Sequence, residues 1–275
     1  MDSADIRKHF DGIGHFRILV IGRSNAGKTT ILQRVCNTTE LPENFNIEGK
    51  KVGCSTASYH KLLMRGISQI DPYPQRGYHN IEDELIFRSN PGFIFHDSRG
   101  FEAGSDGELM VMKKFVAERA TATKLAKRIH AIWFCISMTD YERLIMASEE
   151  IYFNECNTTN VPVIVVLTKA DTLEFLAIEQ LIDKDMKIEE AKARAGEVAI
   201  QILGKLKTRI ETQLAGCKYP PKDYVSLASM NEDHADCNPL LRCTTNALDD
   251  EVELQKLVIS TQQVNFVLNI EYAVK

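Results

Sequence analysis

The sequence predicts an α/β protein with three layers, in which helices cover both faces of a mainly parallel central sheet. Short apolar runs without polar alternation are typical of strands that are buried on both faces. These runs alternate with stretches of helical spacing, as they do in parallel sheets. A polar or glycine-rich motif follows several of the runs, at the place where such sheets bind ligands. The chain has 275 residues, of which 44% are hydrophobic, and this predicts a single domain over 1–275.

The strands and helices can be predicted in order along the chain. Apolar runs predict strands, and apolar residues three or four positions apart predict helices. Two runs separated by Ser89-Asn90-Pro91-Gly92 predict strands that are joined by a tight turn. Strands are predicted at 16–21, 81–87, 93–96, 131–136, 161–167 and 224–228; helices are predicted at 30–37, around 109–116, at 141–156, in one or two pieces between 173 and 214, and at 246–271 as a closing helix.

The stretch 38–80 is predicted to be a long loop or insertion. It contains prolines and glycines and shows no sustained period, although one helical turn is expected around 61–65. Loops of this length in a compact domain are usually either functional or disordered.

Composition and charge argue against several classes of partner. The net charge of -5 leaves no polybasic region, so neither nucleic acid nor an anionic membrane is expected as a partner. Neither a transmembrane segment nor a signal peptide is expected, because no apolar run has the length of a membrane span and residues 1–8 lack a hydrophobic stretch. The seven cysteines, an odd number, predict reduced thiols and hence a cytoplasmic protein. The spacing of His234, Cys237 and Cys243 matches no standard zinc pattern, so a polar loop is expected there.

The segment Gly22-Arg23-Ser24-Asn25-Ala26-Gly27-Lys28-Thr29 spells GxxxxGKT directly after an apolar run, in the strand, turn and helix context of a phosphate-binding loop. Its glycines let main-chain N–H groups and the start of the next helix point at an anion. Lys28 would place its charge between the outer phosphates, and the Thr29 hydroxyl would bind Mg²⁺. The residues predicted to contact the nucleotide here are Ser24, Asn25, Ala26, Gly27, Lys28, Thr29 and Thr30.

A second motif, Asp97-Ser98-Arg99-Gly100, follows the predicted strand at 93–96. A carboxylate at this place can hold Mg²⁺ through water, and the N–H of a glycine three residues further on can meet the γ-phosphate. The DxxG pattern is also common in ordinary acidic turns. Together with the phosphate-binding loop, it predicts that Asp97 organises the metal and that Gly100 senses the γ-phosphate.

A third motif, Thr168-Lys169-Ala170-Asp171, comes at the end of the predicted strand 161–167. The Asp171 carboxylate can accept hydrogen bonds from the ring N–H and the exocyclic amine of guanine, a pair of donors that adenine lacks. The stem of Lys169 can lie over the base. In isolation these residues would fit an ordinary helix start, but after the first two motifs they favour GTP or GDP over ATP.

In their order along most of the chain, the three motifs resemble those of the P-loop GTPase superfamily. The resemblance implies a P-loop NTPase fold, a G domain that binds GTP or GDP with Mg²⁺, and hydrolysis of GTP with Lys28, Thr29 and Gly100 as catalytic residues. It also implies a base contact from Thr168, where the family usually has asparagine. Ser229, in a small-residue turn after the last strand, is implied as a further base contact.

The sequence around the second motif narrows this resemblance. The stretches 95–104, 130–135 and 260–263 are similar to those of fungal G-domain-containing proteins, which are related to the septin, Era and immune-associated GTPase branches. This group has no assigned cellular role, so the resemblance leaves the protein effector unknown. The stretches 38–80 and 246–271 are candidate surfaces for such a partner.

The residue after the second motif departs from the family pattern. Phe101 stands where Ras-like GTPases carry the glutamine that orients the attacking water, so slow hydrolysis is implied unless K⁺, a homodimer through the nucleotide face or another partner assists. Asn25 resembles the asparagine that helps to hold K⁺ in related branches, although it would equally suit the backbone of the turn. The alternative function is a GTP- or GDP-dependent interaction module with negligible turnover. For Arg23 and Arg99 we expect solvated side chains rather than charge stabilisers.

The ligand that the family's switch I loop supplies to Mg²⁺ is harder to place. No Thr or Ser lies between Ser68 and Ser89, where a threonine is expected. Thr56 and Ser55 are the nearest upstream hydroxyls, and they could serve only if an insertion of about 20 residues folds away. Either a displaced threonine binds the metal, or this position of the metal shell has no threonine.

Overall fold

The computed structural model describes residues 14–52, 80–98, 106–158, 160–248 and 251–262. The strands in these ranges are β1 (Phe16–Gly22), β2 (Glu43–Phe45), β3 (Lys51–Val52), β4 (Glu84–Phe87), β5 (Asn90–Asp97), β6 (Ala131–Ser137), β7 (Val163–Thr168) and β8 (Asp223–Ser226). The helices are α1 (Lys28–Val35), α2 (Asp106–Ala120), α3 (Ala147–Glu155), α4 (Leu173–Ile182), α5 (Ile188–Ala215), α6 (Asn238–Ala247) and α7 (Val252–Thr261), with short 3₁₀ turns at Leu125–Lys127, Met138–Asp140 and Ala170–Thr172.

Within the described ranges, the strands form an eight-stranded sheet in the order β3-β2-β4-β5-β1-β6-β7-β8. Strands β5, β1, β6, β7 and β8 are parallel to one another, whereas β2, β3 and β4 pair antiparallel at one edge. Every residue of β1, β6 and β7 is buried, which explains why these strands show no polar alternation in the sequence. The predicted mainly parallel sheet is confirmed.

Alternate residues of the central strands pack into two separate hydrophobic clusters. Leu19 and Ile21 of β1 pack in one cluster with residues of α2, α3, α4 and α5. Ile18 and Val20 pack in the other cluster with residues of α1, α6 and α7. Helices therefore cover both faces of the sheet, and the predicted three-layer fold class is confirmed. None of the helices in the described ranges is long and apolar enough to cross a membrane.

The structure corrects the first part of the predicted loop at 38–80. Residues 43–52 form a β2–β3 hairpin that extends the antiparallel edge of the sheet. Its turn is held by the Asn46 side chain, which accepts hydrogen bonds from the N–H groups of Glu48 at 3.1 Å and Lys50 at 2.9 Å. Strands of three and two residues are too short to show a period in the sequence. The helical turn expected at 61–65 lies outside the described residues.

Helix α6 begins within the segment around His234, Cys237 and Cys243 that was expected to be a polar loop, so that expectation was wrong for 238–243. Pro239 lies in the first turn of the helix, where its missing N–H is tolerated. Thr244 is fully buried: its hydroxyl donates to Leu240 O at 2.8 Å and accepts from Trp133 Nε1 at 3.0 Å. Threonines whose hydroxyls are hydrogen-bonded in this way can lie on the buried face of a helix, although they count as polar residues in the sequence.

The closing helix begins later than predicted. Helix α7 covers Val252–Thr261, and residues 246–247 end the preceding helix α6. The rest of the predicted range, 263–271, lies outside the described residues. The predicted helical stretch from 173 to 214 is divided into α4 and α5, which pack against each other.

A buried polar cluster lies beside β1 at the end away from the phosphate-binding loop. The Arg17 guanidinium forms an ion pair with Glu84 at 2.8 Å and lies 3.5 Å from Nε2 of His96. The Arg17 N–H donates to Nδ1 of His130 at 3.0 Å. Burial lowers the pKa of both His96 and His130 to about 4, so both rings are neutral at neutral pH.

Candidate functional site

The three motifs follow the carboxyl ends of strands that run parallel in one sheet. β1 ends at Gly22, β5 ends at Asp97 and β7 ends at Thr168. Because these strands are parallel, their carboxyl ends lie at the same edge of the sheet. The structure thus brings the phosphate, metal and base motifs of the described residues together.

The phosphate-binding loop leaves β1 where that strand passes very close to β6. Gly22 has a φ of 152° and lies opposite Cys135 in the parallel register. A Cβ atom on Gly22 would stand 2.6 Å from the Cys135 carbonyl oxygen, which is too close for any side chain. Burial raises the pKa of the Cys135 thiol to about 12, so this cysteine packs beneath the loop as a protonated thiol.

Two residues in left-handed conformation shape the loop itself. Asn25 has a φ of 61° and Gly27 a φ of 79°, and the Ala26 N–H donates to Arg23 O at 3.2 Å. Asparagine is one of the few residues besides glycine that adopt this conformation readily, so the backbone alone accounts for Asn25. Gly27 is the N-cap residue directly before α1 and has no side chain that could accept a hydrogen bond from the helix. The first N–H groups of the helix must therefore be satisfied in another way. The start of α1 is therefore suited to an anion.

Lys28 folds back across the loop from the start of α1. Its Nζ donates to Gly22 O at 2.9 Å and to Arg23 O at 3.2 Å, and it lies 4.0 Å from Oδ1 of Asp97. The ammonium group is thus held between the end of β1 and the end of β5. A positive charge at this position can interact with phosphates that lie against the loop.

Thr29 and Asp97 provide the oxygen atoms that Mg²⁺ prefers. Thr29 is exposed at the start of α1, and the Asp97 side chain is 20% exposed at the end of β5. A hydroxyl and a carboxylate beside a phosphate-binding loop are a donor set that fits this ion. Gly100, Arg99 and Phe101 lie outside the described residues, so their predicted roles stay predictions.

Thr168 joins the base motif to the phosphate-binding loop. It is 1% exposed, and its hydroxyl lies 2.8 Å from Ala26 O, to which it donates. The same hydroxyl lies 3.4 Å from Ile136 O on β6. These contacts place Thr168 beneath the loop as a link between two motifs. The contact with the base that the family resemblance implies for this residue stays a prediction.

Asp171 is held by the turn that follows β8. Its Oδ1 accepts a hydrogen bond of 2.7 Å from the N–H of Ser229, which itself adopts a left-handed conformation with φ 52°. The Ala170 N–H donates to Leu227 O at 3.1 Å, so main-chain bonds also join the two segments. Lys169 is half-buried and left-handed, with φ 55°. The structure therefore places Ser229 beside the carboxylate that is predicted to select the base.

Arg23 has a role that the sequence did not indicate. Its guanidinium forms a bidentate pair with Glu149, with Nε–Oε1 at 2.9 Å and Nη2–Oε2 at 2.7 Å. It also donates to Asp140 Oδ2 at 3.1 Å and to the carbonyls of Arg143 and Leu144 at 2.7 and 3.1 Å. The Arg23 side chain is 12% exposed and that of Glu149 is fully buried. The expectation of a solvated Arg23 was wrong, because its guanidinium is paired and mostly buried. These partners could not be identified from the sequence, since they lie over 110 positions away.

The described residues contain no group of three His, Cys, Asp or Glu side chains placed to hold a metal ion. His234 is 85% exposed and lies 3.1 Å from Glu232, whereas Cys237 and Cys243 are buried.

No protein-family model matches the chain, and no curated protein matches it. Among solved structures, the chain is similar to a variant of Aquifex aeolicus Era bound to GDP.AlF4-, with 17% identity over 82% of this chain and 54% of that one, and a TM-score of 0.41. It is also similar to a variant of the S. thermophilus NFeoB protein bound to GDP, with 16% identity over 58% of this chain and 46% of that one, and a TM-score of 0.34.

A third similar structure is the small COPII coat GTPase Sar1 from Encephalitozoon cuniculi in complex with GDP. Identity is 12% over 93% of this chain and 89% of that one, and the TM-score is 0.39. The chain spans about half the length of the Era and NFeoB structures. At such identities and TM-scores, these likenesses do not decide what this chain binds.

Proposed function

We propose that this chain binds GTP and GDP together with Mg²⁺ and hydrolyses GTP to GDP and phosphate. The observation that carries the proposal is the link from base motif to phosphate loop: the Thr168 hydroxyl donates to Ala26 O, and three residues further on Asp171 is held by Ser229. A carboxylate suited to guanine thus lies three residues after a residue that is hydrogen-bonded to a loop suited to phosphates.

The phosphate chain would lie against the main-chain N–H groups of residues 24–30 and the start of α1. Lys28 would donate to the outer phosphates and neutralise part of their charge. Thr29 and Asp97 would hold Mg²⁺, which supplies further charge neutralisation at the phosphates when it is bound. Gly100 would contact the γ-phosphate through its N–H.

The base would be selected by Asp171. A carboxylate has about four lone-pair positions, so the hydrogen bond from Ser229 to Oδ1 leaves room for the ring N–H and the exocyclic amine of guanine. Adenine would leave the carboxylate without these donors and is disfavoured for that reason. The stem of Lys169 would cover the face of the base.

Hydrolysis would proceed by attack of water on the γ-phosphorus, with GDP as the leaving group and transfer of the water protons to the products. Positioning and charge neutralisation by the loop contribute most of the catalysis. Phe101 offers no atom to orient the water, so we propose a slow intrinsic rate that K⁺ or a second copy of the chain at the nucleotide face would raise. Asn25 is a candidate ligand for K⁺, although its backbone conformation is sufficient reason for its presence.

The binding proposal is tested by calorimetric titration of the protein with GTP and with ATP in magnesium buffer. We expect GTP to bind and ATP to bind at least about 100-fold more weakly, because two hydrogen bonds to a charged group are lost with adenine. Equal affinities for the two nucleotides, or no binding of GTP, would contradict the proposal.

A nucleotide-loaded interaction module without turnover is the second candidate, and Phe101 is the observation that favours it. Single-turnover hydrolysis of GTP, measured in K⁺ and in Na⁺ at low and high protein concentration, separates the two. Turnover that rises with K⁺ or with protein concentration supports the hydrolase. An absence of turnover under all four conditions supports the module. The cytoplasmic location stays a prediction.

A further inference from the structure

We propose that Arg34 is a positioning residue for guanine recognition, because it fixes the turn after β8 whose Ser229 N–H orients Asp171. The inference rests on the proposed function, since it concerns the same base site. Neither the motifs nor their spacing points to Arg34, which lies two helical turns beyond Lys28.

The contacts of Arg34 go to the main chain of that turn. From the last turn of α1, Nε donates to Met230 O at 2.8 Å and Nη2 donates to Asn231 O at 3.1 Å. The Arg34 side chain is 19% exposed. Its charge-assisted bond to Met230 O is partly buried, whereas the bond to Asn231 O is exposed. Asp233 lies 3.8 Å from Nη2, but its fully exposed carboxylate adds little.

The other end of the turn is fixed by main-chain hydrogen bonds. Leu227 N donates to Leu167 O at 2.8 Å, and Ala170 N donates to Leu227 O at 3.1 Å. Between Leu227 and Met230, Ser229 adopts a left-handed conformation that costs free energy in a residue other than glycine. Such a conformation persists only where the surroundings hold it on both sides. On the side of Met230, the turn is held by the two Arg34 hydrogen bonds and by the Glu232 N–H, which donates to Ser229 O at 2.8 Å.

Arg34 holds residues of the base side and, among the described residues, makes none of the hydrogen bonds that hold the phosphate-binding loop. Its hydrogen bonds reach residues 230–231, whereas the phosphate-binding loop is held by Lys28, by Thr168 and by the Arg23 pair with Glu149. A loosened turn would misplace the Ser229 N–H and with it the Asp171 carboxylate. Recognition of guanine would weaken while affinity for the triphosphate tail stays the same.

The experiment compares Arg34→Gln with the unaltered protein in calorimetric titrations with Mg²⁺ and three ligands: GTP, inosine triphosphate, which lacks the exocyclic amine, and inorganic tripolyphosphate. We expect GTP affinity to fall by about tenfold, as for lost hydrogen bonds of a charged group, and the preference for GTP over inosine triphosphate to shrink. Affinity for tripolyphosphate should stay within about twofold. Arg34→Lys, with one compact donor group instead of a fork, should lie in between.

Hydrogen exchange of the protein without nucleotide provides a readout that does not depend on GTP. We expect Arg34→Gln to accelerate amide exchange in residues 228–232 and to leave residues 24–30 unchanged. Arg209→Gln, an exposed position on α5, is the matched control.

Equal losses of affinity for GTP and tripolyphosphate would overturn the inference, since they would show a general structural role. An undiminished affinity for GTP would overturn it as well. If the unaltered protein binds tripolyphosphate without preferring GTP, the proposed function fails. Hydrogen exchange then tests Arg34 by itself. Faster exchange at 228–232 in Arg34→Gln supports the positioning of this turn by Arg34, and unchanged exchange overturns it.

Discussion

The phosphate side and the base side of the candidate site are built in different ways. The phosphate side is one continuous segment, 22–30, whose Lys28 and Ala26 form hydrogen bonds within the segment itself. The base side is assembled from 168–171 and 227–231, and the whole of α4, α5 and β8 lies between these two segments in the sequence. A local segment thus carries its own signature in the sequence, whereas an assembled site depends on distant side chains that hold its parts together.

Each side has an arginine anchor, and the two anchors differ in strength. Arg23 on the phosphate side pairs with the fully buried Glu149 carboxylate. Arg34 on the base side reaches main-chain carbonyls. Loss of Arg23 should therefore reduce the stability of the whole fold, whereas loss of Arg34 should chiefly affect ligand selection.

The largest expected effect follows from Arg23→Met. The substitution leaves the Glu149 carboxylate buried without its cation, and such a loss costs about 3–5 kcal/mol. Urea unfolding at neutral pH measures the change in free energy of unfolding.

The matched control for this prediction is Arg143→Met, which removes an ion pair with Asp140 whose arginine is 75% exposed and should cost less than about 1 kcal/mol. Adding Glu149→Gln to Arg23→Met should restore part of the stability, because glutamine is uncharged and keeps an oxygen for the Met146 N–H. If Arg23→Met costs no more than the control, the phosphate side is not anchored in this way.

The second effect is a loss of stability in acid, and it originates beside β1, at the end of that strand away from the phosphate-binding loop. The pKa of His96 and of His130 is lowered by burial from the ordinary 6.5 to about 4. The unfolded chain therefore binds more protons than the folded one between these values. The stability from the neutral rings is complete above about pH 6.5 and is lost as the pH falls towards 4, by up to about 3 kcal/mol for each histidine.

Urea unfolding between about pH 7 and pH 5 measures this dependence. His96→Gln should make stability fall less steeply with acid than in the unaltered protein, whereas His234→Gln, at an exposed side chain, should leave the steepness unchanged. An equal steepness in all three proteins would show that the buried histidines do not govern the response to acid.

The smallest effect concerns the hydrogen bond from Thr168 to Ala26 O, which connects the base side to the phosphate side. Thr168→Val keeps the shape of the side chain but removes the hydrogen bond to Ala26 O, at a cost of about 1 kcal/mol in stability. Because this bond joins both sides, affinities for GTP and for tripolyphosphate should fall together, unlike the selective loss expected for Arg34→Gln. Thr168→Ser retains the hydroxyl and serves as the control. A loss for GTP alone would place Thr168 on the base side only.

The sequence predicted best what depends on neighbouring residues. The buried strands and the loop from Gly22 to Thr29 are visible because each consists of adjacent positions with a fixed pattern. The β2–β3 hairpin was missed because its strands are too short for a period, and α6 was missed because its buried face includes threonines that bond their own helix.

The partners within the site were not predictable for a related reason. Glu149 lies 126 positions from Arg23, and Met230 lies 196 positions from Arg34. No periodicity or motif links such positions, since only the pairing of β1 with β6 and of β7 with β8 brings their loops to one edge. The placement of Ser229 beside Asp171 was suggested by family resemblance rather than by the residues themselves.

The most direct test of the account is the nucleotide preference of Asp171→Asn, measured by calorimetry with GTP and xanthosine triphosphate. Asparagine keeps an oxygen for the Ser229 N–H but presents an amide donor, which suits the second carbonyl of xanthine in place of the amine of guanine. We predict that the variant prefers xanthosine triphosphate, while Asp183→Asn, at an exposed position after α4, still prefers GTP. An Asp171→Asn protein that retains the full preference for GTP would contradict the account.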